Sequence, residues 1–214
     1  MRNAKPGASV ARKETIASSL DGPFLRQDQP ILSPRDCSHW DDTITTNPTV
    51  TILDNGATYL IYKSRKAVGY PLQLGIAYAP NPAGPFVRLG EGPLLGGMDL
   101  EDPFLFYQKK RRKFCLLAKD NHPREDNPDL WGGGVYAESD NGIDFSLVNH
   151  SLVYTRHLQW EDGHESVQTN LERASLLFDE DGNPCRLYFA TGEGDTPYFF
   201  KGTSYLVSLP LLPE

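Results

Sequence analysis

The sequence predicts an all-β fold, a partial β-propeller with four-stranded antiparallel blades. Three observations carry that expectation. Short apolar runs alternate with turn signals along the whole chain, and no stretch keeps the period of an amphipathic helix. The 39% hydrophobic content is modest for 214 residues, while 19 Gly, 17 Pro and 11% aromatics suit many short strands joined by turns. A marker also recurs: Gly22-Pro23-Phe24 returns as Gly84-Pro85-Phe86 and, more loosely, as Gly142-Ile143-Asp144-Phe145. The spacing of roughly 60 residues holds four strands and their turns, which is one propeller blade.

Taken in order, residues 1–16 are polar and patternless and read as a tail, and 17–214 as one propeller domain, incomplete at its N-terminal side. Ser18 to Arg26, with its Asp21-Gly22-Pro23 turn, and Pro30-Ile31-Leu32 read as the last strands of a first blade. A polar stretch with one large aromatic, Trp40, leads to Asn47-Pro48. Val50–Leu53 and Thr58–Tyr62 form a hairpin around Asp54-Asn55-Gly56, a strong turn signal, and Leu72–Tyr78 is the third strand. Residues 83–95 repeat the turn and fourth strand. A second unit starts at Glu101-Asp102-Pro103 and continues through Phe104–Tyr107, Lys113–Lys119, Gly134–Ser139 and Asp144–Tyr154. A third starts at Glu172, with Leu176–Phe178, a turn over 179–183, Arg186–Ala190 and Tyr205–Leu209. That makes two whole blades and parts of two more, whereas closed propellers have at least four. An unclosed propeller exposes an apolar face, so upstream blades, self-association into a homo-oligomer, or an open sheet stack are the alternatives.

Composition excludes several functions. A net charge of −7 argues against a nucleic-acid partner. The one basic run, Lys109-Lys110-Arg111-Arg112-Lys113, lies between two strands and reads as a hairpin loop. Cys37, Cys115 and Cys185 are far apart and make no metal or redox motif; as free thiols they favour a reducing compartment. No apolar stretch is long enough to span a membrane, and the N-terminus has no signal-peptide core, so the expected location is cytoplasmic by default. No Gly-x-Ser-x-Gly elbow occurs, and Gly132-Gly133-Gly134 precedes no helix that would make it a phosphate loop. No spacing demands a metal or cofactor, though acids and a histidine around a funnel leave a divalent cation open.

The chemistry centres on Glu101-Asp102-Pro103-Phe104. Neighbouring side chains in a strand point to opposite faces, so Glu101 and Asp102 are expected to diverge, with one facing a cleft. Pro103 biases Asp102 towards an extended backbone. Comparable strand starts occur at Asn47-Pro48-Thr49-Val50 and Glu172-Arg173-Ala174-Ser175. Each has a plain alternative: a solvated turn at Glu101-Asp102, an ion pair at Glu172-Arg173 and at Lys119-Asp120, an exposed loop histidine at His164. Trp40, Trp131 and Trp160 read either as stacking platforms for a ligand or as core. A pair of carboxyls can do acid–base work when one donates a proton to a leaving group and the other serves as base or nucleophile. Asp102 beside Glu172 would raise the Glu172 pKa and keep it protonated, and His164 is the alternative donor.

In order and spacing the chain resembles the five-bladed propeller glycoside hydrolases of the family 43, 32 and 117 type. The resemblance covers residues 17–210. It is carried by Trp40-Asp41 with Thr46-Asn47-Pro48, Gly75 to Ala79 leading to Gly84-Pro85-Phe86, Glu101-Asp102-Pro103-Phe104, Lys119-Asp120 and Leu171-Glu172-Arg173. It implies that blade starts around a central funnel carry the catalytic acids. Asp102 then matches the residue that tunes the acid and Glu172 the donor. The family 117 type is credited with a histidine as acid shortly before a glutamate, which His164 matches, and the resemblance is nearest to that branch. It implies an oligosaccharide substrate, in the finer form an inverting cut at an α-galactosidic or anhydrogalactosidic linkage. The base would come from the first blade, and Asp41 and Asp42 precede a later one. The candidate catalytic residues are thus Asp102, His164 and Glu172. The candidate substrate-binding residues are Trp40, Asp41, Thr46, Asn47, Lys63, Glu101, Lys119, Asp120 and Arg173. The alternatives are a non-catalytic sugar-binding or truncated propeller, and a glycoside phosphorylase. The phosphorylases share a Glu-Asp-Pro strand start but follow it with an arginine for phosphate, where this chain has Phe104.

Overall fold

The structure is a computed structural model that describes residues 15–16, 21–26, 28–122, 130–148, 152–192 and 202–211. The expected tail, apart from Thr15 and Ile16, lies outside the described residues. All regular elements among the described residues are strands, apart from a 3-10 turn at Leu95–Gly97. Two sheets are complete four-stranded antiparallel blades. The first orders β3 (Thr46–Ile52), β4 (Thr58–Ser64), β5 (Gln73–Ala79) and β6 (Val87–Leu89); the second β7 (Leu100–Gln108), β8 (Lys113–Asp120), β9 (Gly134–Ser139) and β10 (Ser146–Leu147). A third sheet has three strands, β13 (Glu172–Phe178), β14 (Pro184–Gly192) and β15 (Ser204–Pro210). Ahead of the first blade, β1 (Thr15–Ile16) pairs with β2 (Leu25–Arg26). The Ile16–Leu25 pairing mirrors Tyr78–Val87 of β5 and β6, so β1 and β2 are the outer strands of an earlier blade. The recurring glycines Gly22, Gly84 and Gly142 all have positive φ and each precedes an outermost strand, so the sequence repeat is a structural one. The sequence reading missed one hairpin, β11 (His157–Gln159) with β12 (Glu165–Val167), which frames the stretch read as a loop.

Turn chemistry explains the hairpins. Asn55 Oδ1 accepts the Ala57 amide at 3.0 Å and Gly56 supplies a φ of 87°, which reverses the chain between β3 and β4. Asp179 and Gly182 repeat the device between β13 and β14, where Asp179 Oδ1 accepts the Asn183 amide at 2.8 Å. The basic run forms the β7–β8 turn, as expected, with Lys113 opening β8.

The blades stack face to face. Ile61, Leu74 and Ile76 of the first blade pack with Leu105, Phe114 and Leu116 of the second. Leu117, next along β8, points the other way and packs with Leu187, Phe189 and Val207 of the third sheet. Strand alternation with both faces buried is why Phe114 to Ala118 is unbroken apolar sequence. This stacking sets β7 against both β3 and β13, so the first strands of the three sheets are neighbours in series.

Candidate active site

The starts of β3, β7 and β13 share a local distortion that the sequence reading did not foresee. A residue with a left-handed backbone lies within the first three positions of each: Asn47 (φ 48°), second in β3; Asp102 (φ 51°), third in β7; and Arg173 (φ 57°), second in β13. Pairing slips at the same points, between Thr46 and Thr49, Glu101 and Phe104, and Glu172 and Ser175. Each strand therefore begins with a bulge. This corrects two expectations: Asp102 is not extended, and Glu101 and Asp102 do not diverge. The bulge breaks the alternation, and both line one cavity of about 320 Å3 with Asn47, Lys63, Asn170, Glu172 and Arg173. Asn and Asp tolerate the left-handed region, which outweighs the extended bias from Pro103. Pro48 and Pro103 lie inside strands only because the bulge needs no ladder amide from them.

Two sets of contacts link the strand starts. In the first, Asn47 Nδ2 donates to Asp102 Oδ1 at 2.6 Å, and Asp102 Oδ2 accepts the Arg173 amide at 3.1 Å. Arg173 Nε completes an ion pair with Asp102 Oδ1 at 3.2 Å. In the second, each lysine on a second strand reaches the glutamate that opens the next sheet. Lys63 Nζ lies 2.8 Å from Glu101 Oε2, and Lys119 Nζ lies 2.6 Å from Glu172 Oε1 and 3.2 Å from Glu101 Oε1. Lys119 is almost fully buried, with its ammonium 5.3 Å above the Trp131 ring. Arg156 lies 5.6 Å from the same ring and donates to the Trp131 carbonyl at 2.7 Å.

These contacts give the glutamates opposite character. Burial raises the Glu101 pKa, but Lys119 and Lys63 outweigh it and hold Glu101 at about 2. Burial also raises Glu172; there the Asp102 carboxylate reinforces burial, and the net shift is upward despite Lys119. Glu101 is thus an ionised anchor and Glu172 a carboxyl inclined to hold its proton, the requirement for a general acid.

The structure brings Asn47, Lys63, Glu101, Asp102, Glu172 and Arg173 together, with Thr46 paired to Lys63 and Lys119 directly behind. It places the other candidates elsewhere. His164 sits at the β11–β12 turn, its ring exposed, stacked on Trp160 and 2.5 Å from Asp162 Oδ1, and it does not line the cavity. Asp41 is fully buried between Arg35 Nε (2.6 Å), Tyr62 Oη (2.8 Å) and Arg88 Nε (2.9 Å). Burial raises its pKa, but those donors hold it below the usual range. Trp40 stacks on Tyr62 in the same apolar cluster. Asp120 is buried beyond Lys119, where Oδ1 accepts the His122 amide at 2.9 Å. Asn170 lines the cavity and was overlooked. Its signal was present: Asp99-Leu100-Glu101 recurs as Asn170-Leu171-Glu172, each with a buried leucine. Among the described residues no group of three or more acidic, histidine or cysteine side chains is arranged to hold a metal.

No protein-family profile matches the chain, and no curated protein does. Solved structures do. A glycosyl hydrolase from Bacteroides ovatus superposes with a TM-score of 0.62 at 12% identity, over 92% of this chain and 57% of that one. An exo-β-1,3-galactanase from Phanerochaete chrysosporium, solved with β-1,3-galactotriose, gives 0.56 at 16% identity, over 86% and 37%. A family 117 glycoside hydrolase from Zobellia galactanivorans gives 0.51 at 17% identity, over 79% and 48%. The chain therefore spans between about a third and three fifths of the length of these proteins. At such identities the similarity concerns the fold, and with the stacked four-stranded blades it makes this chain an all-β protein of the propeller architecture found in glycoside hydrolases.

Proposed function

We propose that this chain carries the acid half of a glycoside-hydrolase site acting on an oligosaccharide, with Glu172 as proton donor to the leaving oxygen and Asp102 as the residue that keeps it protonated. One observation carries this: two blade starts place Asp102 and Glu172 on one open cavity, where burial and Asp102 raise Glu172. Asp102 is itself oriented by Asn47 and the Arg173 amide, so its charge is held in one place. Lys63 and Lys119 fix Glu101 as an ionised hydrogen-bond acceptor for sugar hydroxyls. Both Glu101 and Asp102 are occupied by cations or donors, and we assign neither as the base. In the resemblance that role belongs to another blade start.

We assign the acid to Glu172 rather than His164, since the histidine sits outside the cavity. The finer reading, an inverting cut at an anhydrogalactosidic linkage, is supported only by the likeness to the family 117 fold. Reducing-sugar release from neutral, carboxylated and sulfated oligosaccharides, with and without phosphate, tests the proposal. Hydrolysis independent of phosphate is expected. E172Q should lower it about 100-fold or more on natural linkages and far less on aryl glycosides, whose leaving groups need no proton. Equal turnover by E172Q would remove Glu172 as the acid. The Lys119 contact with Glu172 favours a second reading, a sugar-binding site without turnover. Saturable binding without product release would establish that reading instead.

A further inference from the structure

The cavity wall carries an arginine whose terminal nitrogens make no hydrogen bond among the described residues, and it lies at the least expected backbone position. In the first two blades the cation comes from the second strand: Lys63 opposite Thr46, and Lys119 opposite Glu101. Both ammonium groups lie against the glutamates they reach. In the third sheet the residue opposite Glu172 is Ala190, and the cation comes from the strand start itself as Arg173. The corresponding positions hold Asn47 and Asp102, types that accept the left-handed backbone; arginine at φ 57° does not gain from it. Strain of this kind collects where a side chain must be aimed.

Arg173 is aimed. Its amide and Nε are pinned on Asp102, while the side chain is 58% exposed at the cavity wall. Among the described residues no hydrogen bond reaches Nη1 or Nη2. A guanidinium held by Nε presents its two terminal nitrogens as a fork that matches the paired oxygens of a carboxylate or sulfate. The local charge agrees. Glu101, Asp102 and Glu172 face Lys63, Lys119 and Arg173, so once Glu172 carries the proton its acid role requires, the cations exceed the carboxylates by one. Of the three cations Arg173 is the most exposed, so it is the one best placed to meet a ligand.

We propose that the sugar this site selects is anionic, bearing a carboxylate or a sulfate ester, and that Arg173 is the residue that selects it. The proposal rests on the glycosidase reading for the protonation of Glu172, but it is tested by binding alone. Titration calorimetry on the intact chain would compare oligogalacturonides, sulfated galacto-oligosaccharides and neutral galacto-oligosaccharides of equal length. The wild type is expected to bind one anionic series at least tenfold more tightly than the neutral one, and to lose that preference as salt is raised. R173Q should bring the ratio to near one. R173K, which keeps the charge without the fork, should retain a sulfate preference better than a carboxylate one, and the preferred series identifies the source of the anion. Because Arg173 is exposed, unchanged thermal unfolding separates loss of recognition from loss of fold. Equal or better binding of the neutral series, no binding of either anionic series, or an anionic preference that survives R173Q would each overturn the proposal. Anion-selective binding without hydrolysis would leave it standing and remove the hydrolase reading alone.

Discussion

At the residue scale, two neighbours set the protonation of Glu172 in opposite directions, and each can be removed. D102N takes away the charge that reinforces burial, so Glu172 should ionise at lower pH and the alkaline limb of the activity profile should move down. K119M takes away the ammonium that opposes burial, so the same limb should move up. At neutral pH we expect a loss on the order of tenfold or more for D102N. The pH dependence of kcat/KM for both variants checks the assignment, and shifts in the same direction would refute it. Arg173 offers a separate check on backbone strain. R173G relieves a left-handed arginine, whose cost is roughly 1–3 kcal/mol, while adding glycine's unfolded-state entropy and giving up an ion pair to a buried carboxylate that keeps its bonds to Asn47 and the residue 173 amide. The opposing terms roughly cancel, so the variant should stay within about 1 kcal/mol of wild type in urea while binding ligand more weakly.

At the element scale, the third strands of the two complete blades depend on close backbone approaches. A Cβ on Gly134 would lie 1.9 Å from the Tyr154 ring, and one on Gly75 would lie 2.4 Å from Tyr62. Both rings are buried, so neither can turn aside freely. G134A and G75A should each cost about 1–3 kcal/mol or more, measured by chemical denaturation. G134A should also disturb ligand binding, because Gly134 pairs with Lys119 in the β8–β9 ladder. G75A should leave the cavity intact, since Tyr62 lies in the separate cluster around Trp40 and Leu32. The strands themselves were legible in the sequence, because β-branched and aromatic runs between Asx-Gly turns leave few alternatives. Their first residues were not. Alternation predicts one inward side chain at Glu101-Asp102, and only the bulge at φ 51° brings both to the cavity.

At the scale of the whole molecule, Glu101 ties the first two blades to the site. Its folded pKa of about 2 lies below the model-compound value of 4.5, so the ion pairs stabilise the fold above that value. The contribution, about 3 kcal/mol from the size of the shift, is lost as pH falls from 4.5 towards 2. E101Q should be destabilised by roughly 3–5 kcal/mol at neutral pH, because Lys119 and Lys63 lose a buried partner. It should also show a shallower fall in stability across the acid window, measured by urea midpoints from pH 6 to pH 2. A wild-type slope in E101Q would mean that other carboxyls carry the acid lability.

The primary sequence alone determined the strand order within the three main sheets, the blade repeat and the identity of the acidic strand starts. These are local properties: the turn residues at Asn55-Gly56 and Asp179 to Asn183, the marker at Gly22 and Gly84, and the recurrence of Asx-Leu-Glu each act within a few positions of themselves. Tertiary structure decided which of those residues share a site. Asp41 and His164 look as acidic or titratable in sequence as Asp102 and Glu172, yet Asp41 is enclosed by Arg35, Arg88 and Tyr62, and His164 rides on a hairpin tip. The difference arises because a cavity is made of side chains from separate blades. Distances such as Lys119 to Glu172 depend on how sheets stack and how their first residues bulge, and no periodicity along one chain segment encodes that.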